Sequence, residues 1–497
     1  MQKPTLRSRA GGWLAIAAAM SWSSAALAAG EASSPSYLQK IGPILLLLVV
    51  VAFTVWRLPK VDVGHSEAYK RRRILNWLPL GLSYAFLYFG RYNLSAIVDL
   101  LEKQEILTKA QYGDIDGIGA WVYGFAFLIN GPLADRFGGR ATMIVGTAGS
   151  ALCNAVMAFT MSQALSGAWD HDEVIRALTW SNAINMYFQS FGAVSIVKVN
   201  APWFHVRERG VLGGLFGILI SLGLYFAYDW SLALAKNYGF VVPFSAPAAV
   251  LALASVAVAL LIRDTPGQAG YPDFDTGDAT SGQVGRTPVI EVAKRMLSQR
   301  VVLIIIAIEF CSGFLRQGVM KWFRTYARAM GATDSFVYIN WGMLLCCAGI
   351  LGGVFAGFIS DHVFHSRRGP VATVLYGGML LGAIVGLFTL GTTQLGWAVI
   401  FMSLCVIGVH GMLSGTASMD FGGSKNAGVV TGIIDGFVYL GSGTQAFFYG
   451  RYLPSGDLAK DPANWSIWPG AMIPVVIVGL LLCSSVWNAK PKPGGAH

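Results

Sequence analysis

Long runs of apolar residues, separated by short polar segments, dominate this chain. The twelve longest runs lie near 75–98, 112–134, 141–161, 177–200, 211–233, 240–262, 300–322, 337–359, 371–391, 396–418, 427–449 and 467–487. A helix of about 20 residues crosses roughly 30 Å of hydrocarbon, so each run is long enough to span a membrane. Because the apolar positions are continuous rather than alternating, the pattern predicts α-helices and not the strands of a β-barrel.

A polar stretch divides these runs into two groups of six. It covers 263–298 and is expected to form a central cytoplasmic loop. The pattern therefore predicts an all-α, polytopic membrane protein of 6+6 transmembrane helices. The N-terminal half covers 75–262 and the C-terminal half covers 299–489, followed by a cytoplasmic tail at 490–497.

The first 29 residues have the features of a secretory signal. Lys3, Arg7 and Arg9 precede an apolar run that ends at the small-residue sequence Ala26-Leu27-Ala28. A basic start, an apolar centre and a small-residue cleavage site are typical of a signal peptide. We expect a signal peptide at 1–29, the alternative being an anchor helix that is not cleaved.

An additional apolar run at 41–56 predicts one extra transmembrane helix in front of the two halves. This helix and a basic linker occupy 30–74, and the linker includes the run "KRRR" at 70–73. Basic residues favour the cytoplasmic side of a membrane. The linker therefore orients the extra helix with its C-terminal end inside. A docking surface for a partner protein is a possible role of this helix.

Composition supports a membrane location. The chain is 54% hydrophobic and only 12% charged, whereas soluble domains carry about 25% charged residues. The net charge of +10 is explained mostly by basic residues in short loops, which argues against nucleic-acid binding. We expect a multi-pass protein of a bacterial inner membrane, without cofactor or metal. No catalytic motif stands out, so an enzyme is not expected.

The same short motif follows the second helix of each half. It reads "GPLADRFGGR" at 131–140 and "GFISDHVFHSRR" at 357–368. We expect gating loops here, with their charged residues at Asp135, Arg136, Asp361 and Arg367. Duplicated halves with a site between them are typical of secondary transporters.

Four stretches carry a resemblance to a known family. They are "FGRYNLS" (89–95), "FQSFGAVSIVKVNAPWFHVRERG" (188–210), "RDTPGQAGYP" (263–272) and "FLRQGVMKWFRTYA" (314–327). Together with the repeated loop, they resemble the major facilitator superfamily and, within it, the organophosphate:phosphate antiporters, which include glycerol-3-phosphate and hexose-phosphate transporters. The resemblance covers about 75–487, and 1–60 has no counterpart in it.

Arg91 and Arg316 are the main candidates for substrate binding. Each lies in the first helix of its half, so the repeat places them opposite each other near mid-depth. A guanidinium matches phosphate oxygens with two parallel hydrogen bonds and stays charged at physiological pH. The resemblance implies the same role. The alternative is that each arginine pairs with an acidic side chain and only stabilises the bundle.

Two acidic residues in the apolar spans are candidates for coupling or ion pairing. Glu309 precedes Arg316 by seven residues, so both lie on one helix face. It could neutralise Arg316 in the empty state, take up a proton or serve only as a local ion-pair partner. Asp435 lies in the eleventh span, where an unpaired carboxylate is expensive.

Other polar and aromatic residues could line the cavity. The substrate-binding candidates are Tyr84, Tyr88, Asn185, Gln189 and Tyr439. The chain also departs from the glycerol-3-phosphate transporters, since Ile220 and Phe127 stand where the resemblance aligns a histidine and a lysine. That particular substrate is therefore in doubt.

We expect a transporter that exchanges a small organophosphate anion, such as a sugar phosphate or a glycerol-phosphate-like compound, for inorganic phosphate by alternating access. Two alternatives stay open: a proton-coupled organic anion symporter on the same fold, and an organophosphate sensor or accessory subunit that does not transport.

Overall fold

The computed structural model describes residues 37–57, 63–205, 208–276, 289–364 and 368–487 of the 497-residue chain. These residues form helices and connecting turns, with no strand among them, so the predicted all-α fold is confirmed. The predicted signal segment at 1–29 and the tail at 490–497 lie outside the described residues.

The extra helix and the N-terminal half are formed by α1 to α9. Their bounds are α1 Tyr37–Arg57, α2 Glu67–Lys103, α3 Lys109–Phe137, α4 Gly139–Ser166, α5 His171–Gln189, α6 Phe191–Asn200, α7 Arg209–Tyr225, α8 Ser231–Tyr238 and α9 Val242–Leu261. One π-helical turn, Phe226–Trp230, joins α7 to α8. Short 3-10 turns lie at Ala201–Trp203 and Gly267–Ala269.

The C-terminal half is formed by α10 to α16. Their bounds are α10 Val289–Leu297, α11 Arg300–Ala329, α12 Phe336–Ile339, α13 Trp341–His362, α14 Arg368–Phe388, α15 Gln394–Tyr452 and α16 Ile467–Ser485. Two further 3-10 turns, Gly456–Lys460 and Pro462–Ser466, connect α15 to α16.

Polar residues at the loop boundaries explain where several helices begin. Ser66 accepts a hydrogen bond from the Tyr69 backbone N–H at the start of α2. Thr108 and Gln111 form a reciprocal capping box at the start of α3. Each cap satisfies backbone donors that the first helical turn leaves without a partner. Local sequence therefore decides these helix starts.

Eight helices in the described part of the chain are long and apolar enough to cross a membrane. Two shorter apolar helical segments, Ile44–Trp56 and Trp341–Gly357, fall below that length. The multi-pass character is therefore evident. The full count of thirteen spans stays a prediction.

The tenth and eleventh predicted spans, 396–418 and 427–449, both fall within the helical element α15, Gln394–Tyr452. This element is not one straight rod, because two adjacent residues of α11 contact positions far apart along it. Glu309 lies 3.2 Å from His410, and a Cβ on Gly441 would clash with the Phe310 carbonyl. A straight helix would place His410 and Gly441 about 46 Å apart. The two spans therefore lie side by side against α11.

The two halves approach each other closely where α3 packs along α15. A Cβ atom on Gly113 would come within 2.8 Å of the Gly450 Cα, and one on Gly124 within 2.8 Å of the Gly436 carbonyl oxygen. Small residues let membrane helices come together at such distances. The second contact between the halves is made by α7 and α13.

The extra helix α1 packs on the outside of this second contact. It touches α13 of the C-terminal half and, to a lesser extent, α7 of the N-terminal half. Leu47, Val50 and Thr54 form its buried side, whereas Leu48 and Trp56 are exposed. Helix α1 therefore spans the seam between the halves, with an apolar face left for lipid.

Helix packing inside the C-terminal half gives a test of the fold. A Cβ on Gly313 of α11 would clash with the Val438 backbone carbonyl on α15. We expect Gly313→Ala to destabilise the protein by about 1–3 kcal/mol, the usual cost of overpacking. Thermal unfolding in detergent measures the effect.

The matched control is Gly353→Ala on α13, where a Cβ would meet nothing within 4 Å. It should leave the unfolding temperature unchanged or raise it slightly. Equal effects of the two substitutions would contradict the close approach of α11 and α15.

Candidate substrate-binding site

Arg91 lies in the interior of α2 and is only 5% exposed. The preceding carbonyl, that of Gly90, accepts hydrogen bonds from Asn154 at 3.1 Å and Asn185 at 2.9 Å. Asn93 donates to the Asn154 side-chain oxygen at 2.8 Å. These amides join α2 to α4 and α5 and hold the backbone beside Arg91 in place.

The Arg91 guanidinium contacts uncharged groups from both halves. Its Nε and Nη2 donate to the Gln189 Oε1 at 3.2 and 3.1 Å, and its Nη1 donates to the Tyr439 hydroxyl at 2.8 Å. The rings of Tyr88 and Tyr123 lie 4.6 and 4.7 Å from its central carbon, within range of a cation–π interaction. Arg91 thus connects the N-terminal half to α15.

Arg316 lies in the interior of α11 and is 8% exposed. Its Nε is buried without a hydrogen-bond partner. Both Arg316 and Arg91 interact electrostatically with Tyr88, Tyr92 and Tyr439. The structure therefore brings the two predicted arginines to the same group of tyrosines.

Three other cations on α11 pair with aspartates of the N-terminal half. Lys321 lies 2.6 Å from both carboxylate oxygens of Asp116. The remaining two pairs are Arg324 with Asp229 at 2.7 Å and Arg328 with Asp99 at 2.6 Å. These ion pairs join the two halves near the C-terminal end of α11.

Asp229 occupies the central position among these pairs. It lies in the π-helical turn Phe226–Trp230, and such turns often occur at functional sites. Besides Arg324, its carboxylate accepts the backbone N–H groups of Gly342 and Met343, both at 2.8 Å. One side chain of the N-terminal half thus caps α13 and holds α11.

The cations of the site differ in whether a carboxylate lies close to them. Lys321, Arg324 and Arg328 each have an aspartate within 4.0 Å. In the described part of the chain, no carboxylate lies within that distance of Arg91 or Arg316. Burying an uncompensated charge is expensive. The two arginines therefore differ from the other three cations in lacking a carboxylate at ion-pair distance.

Glu309 pairs with His410 and not with Arg316, the partner that the sequence suggested. Its Oε2 lies 3.2 Å from the Nδ1 of His410 on α15, and its Oε1 is buried without a hydrogen-bond partner. It forms no ion pair with Arg316 in the described structure, although the two interact electrostatically.

The other substrate-binding candidates contribute in different ways. Tyr84 is buried beside Tyr88, with ring centroids 5.4 Å apart. Asn185 supports the backbone before Arg91 rather than the guanidinium itself. Asp435 is partly buried on α15 and lies near Tyr84 and His410.

The predicted gating loops are described only in part. Asp135 forms an ion pair of 2.7 Å with Lys198 of the same half. The Arg136 guanidinium lies 5.4 Å from the Phe137 ring. Arg367 and the side chain of Asp361 lie outside the described residues, so the gating role stays a prediction.

Several site residues escaped the sequence reasoning. Tyr123 stacks on Tyr439 with ring centroids 3.8 Å apart, and Tyr92 accepts a hydrogen bond of 3.0 Å from Gln317. Nothing in the sequence distinguishes Tyr123 from a core residue. In contrast, Asp116 and Asp229 stand inside apolar spans, and intramembrane acids are a recognised signal of function.

Residues 80–445 match the sequence profile of the Major Facilitator Superfamily. The chain belongs to this superfamily. It is thus a member of a family of membrane transporters rather than an enzyme, and the predicted location in the bacterial inner membrane is confirmed.

The chain aligns with nearly the whole length of three relatives. The glycerol-3-phosphate transporter of Bacillus subtilis is 25% identical, over 87% of this chain and 96% of the relative. The membrane sensor protein UhpC of Salmonella typhimurium is 25% identical, covering 87% and 95%. A protein of Chlamydia pneumoniae named "Probable hexose phosphate transport protein" is 25% identical, covering 86% and 94%. The resemblance to organophosphate:phosphate antiporters is therefore confirmed.

A solved structure with the same fold is a bacterial homolog of the human lysosomal transporter Spinster, in an inward-facing and unoccupied conformation. It is 14% identical to this chain, has a TM-score of 0.63 and covers 87% of this chain and 100% of its own. This similarity supports the major facilitator fold.

The ion pairs between the halves give a test of the site's framework. Asp116→Asn leaves the Lys321 ammonium, which is only 2% exposed, without its carboxylate. Breaking a buried pair costs about 3–5 kcal/mol, so the unfolding temperature should fall clearly. The double variant Asp116→Asn/Lys321→Gln should recover most of the loss.

The matched control is Asp457→Asn, which breaks the solvent-exposed pair of Asp457 and Lys460. It should leave the unfolding temperature unchanged. A double variant as unstable as Asp116→Asn alone would show that charge compensation is not what Asp116 supplies.

Proposed function

We propose that this protein exchanges a small organophosphate anion for inorganic phosphate by alternating access. Arg91 and Arg316 hold the phosphoryl group between the two halves. The observation that carries the proposal is the pair of buried arginines with no carboxylate within 4.0 Å among the described residues, whereas three other cations on α11 are paired.

The chemistry of the site favours a phosphoryl group. A guanidinium offers several N–H donors in a planar fork that matches phosphate oxygens. The Tyr123 hydroxyl is buried without a hydrogen-bond partner and lies beside Arg91, so it is available as a further donor. The printed functions of the relatives, which include glycerol-3-phosphate and hexose phosphate transport, support the same ligand class.

The charge distribution also supplies a reason for the conformational cycle. Arg91 belongs to the N-terminal half and Arg316 to the C-terminal half, and both interact with Tyr88, Tyr92 and Tyr439, so two like charges share one group of tyrosines. An anion that binds both converts repulsion into attraction and lowers the cost of moving the halves. The ion pairs of α11 with Asp99, Asp116 and Asp229 hold the halves together at one end. They must open when the site opens on that side.

Replacing either arginine by lysine tests the phosphate site. Arg91→Lys and Arg316→Lys keep the charge but lose the planar fork, so we expect phosphate counterflow to fall by about tenfold or more, equivalent to at least 1.4 kcal/mol. The measurement is uptake of radiolabelled phosphate into proteoliposomes preloaded with phosphate.

Arg451→Lys is the matched control, because Arg451 is an arginine at an exposed ion pair with Asp114. Its counterflow should equal that of the wild type. If Arg316→Lys also exchanges phosphate at the wild-type rate, two-point recognition of phosphate by this guanidinium is wrong.

A sensor that binds an organophosphate without transporting it is the second candidate. It is favoured by the similarity to the sensor protein UhpC and by α1, which lies across the seam between the halves. A sensor needs the same arginines but no exchange cycle.

Binding and counterflow measured on one preparation separate the two candidates. For an exchanger we expect phosphate and sugar phosphates to raise the unfolding temperature and also to support counterflow, because a ligand stabilises the state that binds it. Stabilisation without any counterflow would favour the sensor, and co-purification of a stoichiometric partner would strengthen that assignment.

A further inference from the structure

Glu309 and His410 form a buried acid–base pair that substrate binding does not use. Glu309 lies on α11 and is fully buried, and His410 lies on α15. Glu309 Oε2 and His410 Nδ1 are 3.2 Å apart, and the Ser312 hydroxyl lies close enough to interact with the same carboxylate.

The surroundings of the pair are mostly apolar. The titratable or charged groups that face it are Arg316 and Cys311 on α11, Tyr376 on α14, Asp435 on α15 and Cys483 on α16. The Tyr376 hydroxyl donates to the Ile308 carbonyl and is therefore already engaged. Arg316, the candidate phosphate ligand, is the cation in this set.

We propose that the Glu309–His410 pair is a proton-binding site whose occupancy is linked to the phosphoryl group on Arg316. This inference rests on the proposed phosphate site and adds a second, coupled ligand to it. The proton binds to a carboxylate oxygen of Glu309 or to His410, and no covalent bond to the substrate is formed.

Charge balance explains the direction of the linkage. With Glu309 ionised and His410 neutral, Glu309, Arg91 and Arg316 together carry one net positive charge. A bound phosphate dianion turns this into one net negative charge inside a low-dielectric bundle. Uptake of one proton by the pair cancels the added negative charge among these groups, and the direction is the same whether Asp435, which also faces the pair, is ionised or neutral. Phosphate and the proton therefore favour each other's binding, and by thermodynamic linkage the effect is reciprocal.

The two members of the pair differ in exposure. The Glu309 side chain is fully buried, whereas the His410 side chain is 23% exposed. An imidazole exchanges protons near neutral pH and has two ring nitrogens, one of which faces Glu309. His410 is therefore the more accessible member of the proposed proton site.

The test compares phosphate affinity at pH 6 and pH 8 in the wild type and in Glu309→Gln. The amide imitates a permanently protonated acid. We expect Glu309→Gln to bind phosphate as tightly at both pH values as the wild type does at pH 6, apart from the titration of phosphate itself. The wild type should lose about fivefold more affinity than the variant between pH 6 and pH 8.

Phosphate itself changes its ionisation between pH 6 and pH 8. This affects the measured affinity of both proteins equally, so it cancels when the wild type and Glu309→Gln are compared. Glu67→Gln is the matched control, since the Glu67 side chain is 77% exposed at the start of α2. The phosphate affinity of Glu67→Gln should depend on pH in the same way as that of the wild type. Equal pH dependence of wild type and Glu309→Gln would overturn the proposal.

A measurement on the wild type alone keeps the proposal testable if Glu309→Gln does not fold. Phosphate added to the protein in weakly buffered detergent solution at pH 7.5 should cause proton uptake, followed with a pH indicator. Arg316→Lys provides the baseline. Phosphate binding without proton uptake would refute the proton site but leave the exchange function intact. Absence of phosphate binding to the wild type at any pH would instead refute both.

Discussion

The placement of two guanidinium charges inside a membrane bundle is the constraint on which the rest of the structure depends. Arg91 is held by neutral partners, the amide of Gln189 and the hydroxyl of Tyr439, with tyrosine rings against its faces. Such contacts reduce the cost of burying a cation without cancelling its charge. A carboxylate in their place would form a permanent ion pair and leave no affinity for an anion.

Helix α11 carries charges in two kinds of surroundings. Near its C-terminal end, Lys321, Arg324 and Arg328 pair with aspartates of the other half. Arg316, in the middle of the helix, has no ion-pair partner in the described structure. Glu309 lies two turns before Arg316 on the same helix face and pairs with His410. The same residue types thus differ in their surroundings, because their partners come from different neighbouring helices.

Contacts between the halves are of two kinds. Glycines allow α3 and α15 to approach at backbone distance, as at Gly124 and Gly436. Polar and ionic contacts, such as Asp229 with Arg324 and the start of α13, hold the halves at one end. The proposed exchange cycle requires these ion pairs to be replaced by contacts with water when that end opens.

The sequence by itself determined the membrane class and the family, and it singled out Arg91 and Arg316, which the structure buries next to the same tyrosines. Hydropathy runs, helix caps and the repeated loop are local or periodic signals, so they can be read without knowing which helices touch. Gln189 and Tyr439 were also among the predicted residues, although nothing local showed that both would bond to Arg91.

Tertiary structure alone decided the partners of the buried charges. Glu309 meets His410, 101 residues away, and Lys321 meets Asp116, 205 residues away. Tyr123 joins the site because α3 packs against α15. The two parts of α15 likewise lie side by side because both contact α11, at His410 and at Val438. Pairing depends on which faces of distant helices become neighbours, and a hydropathy pattern carries no information about that choice.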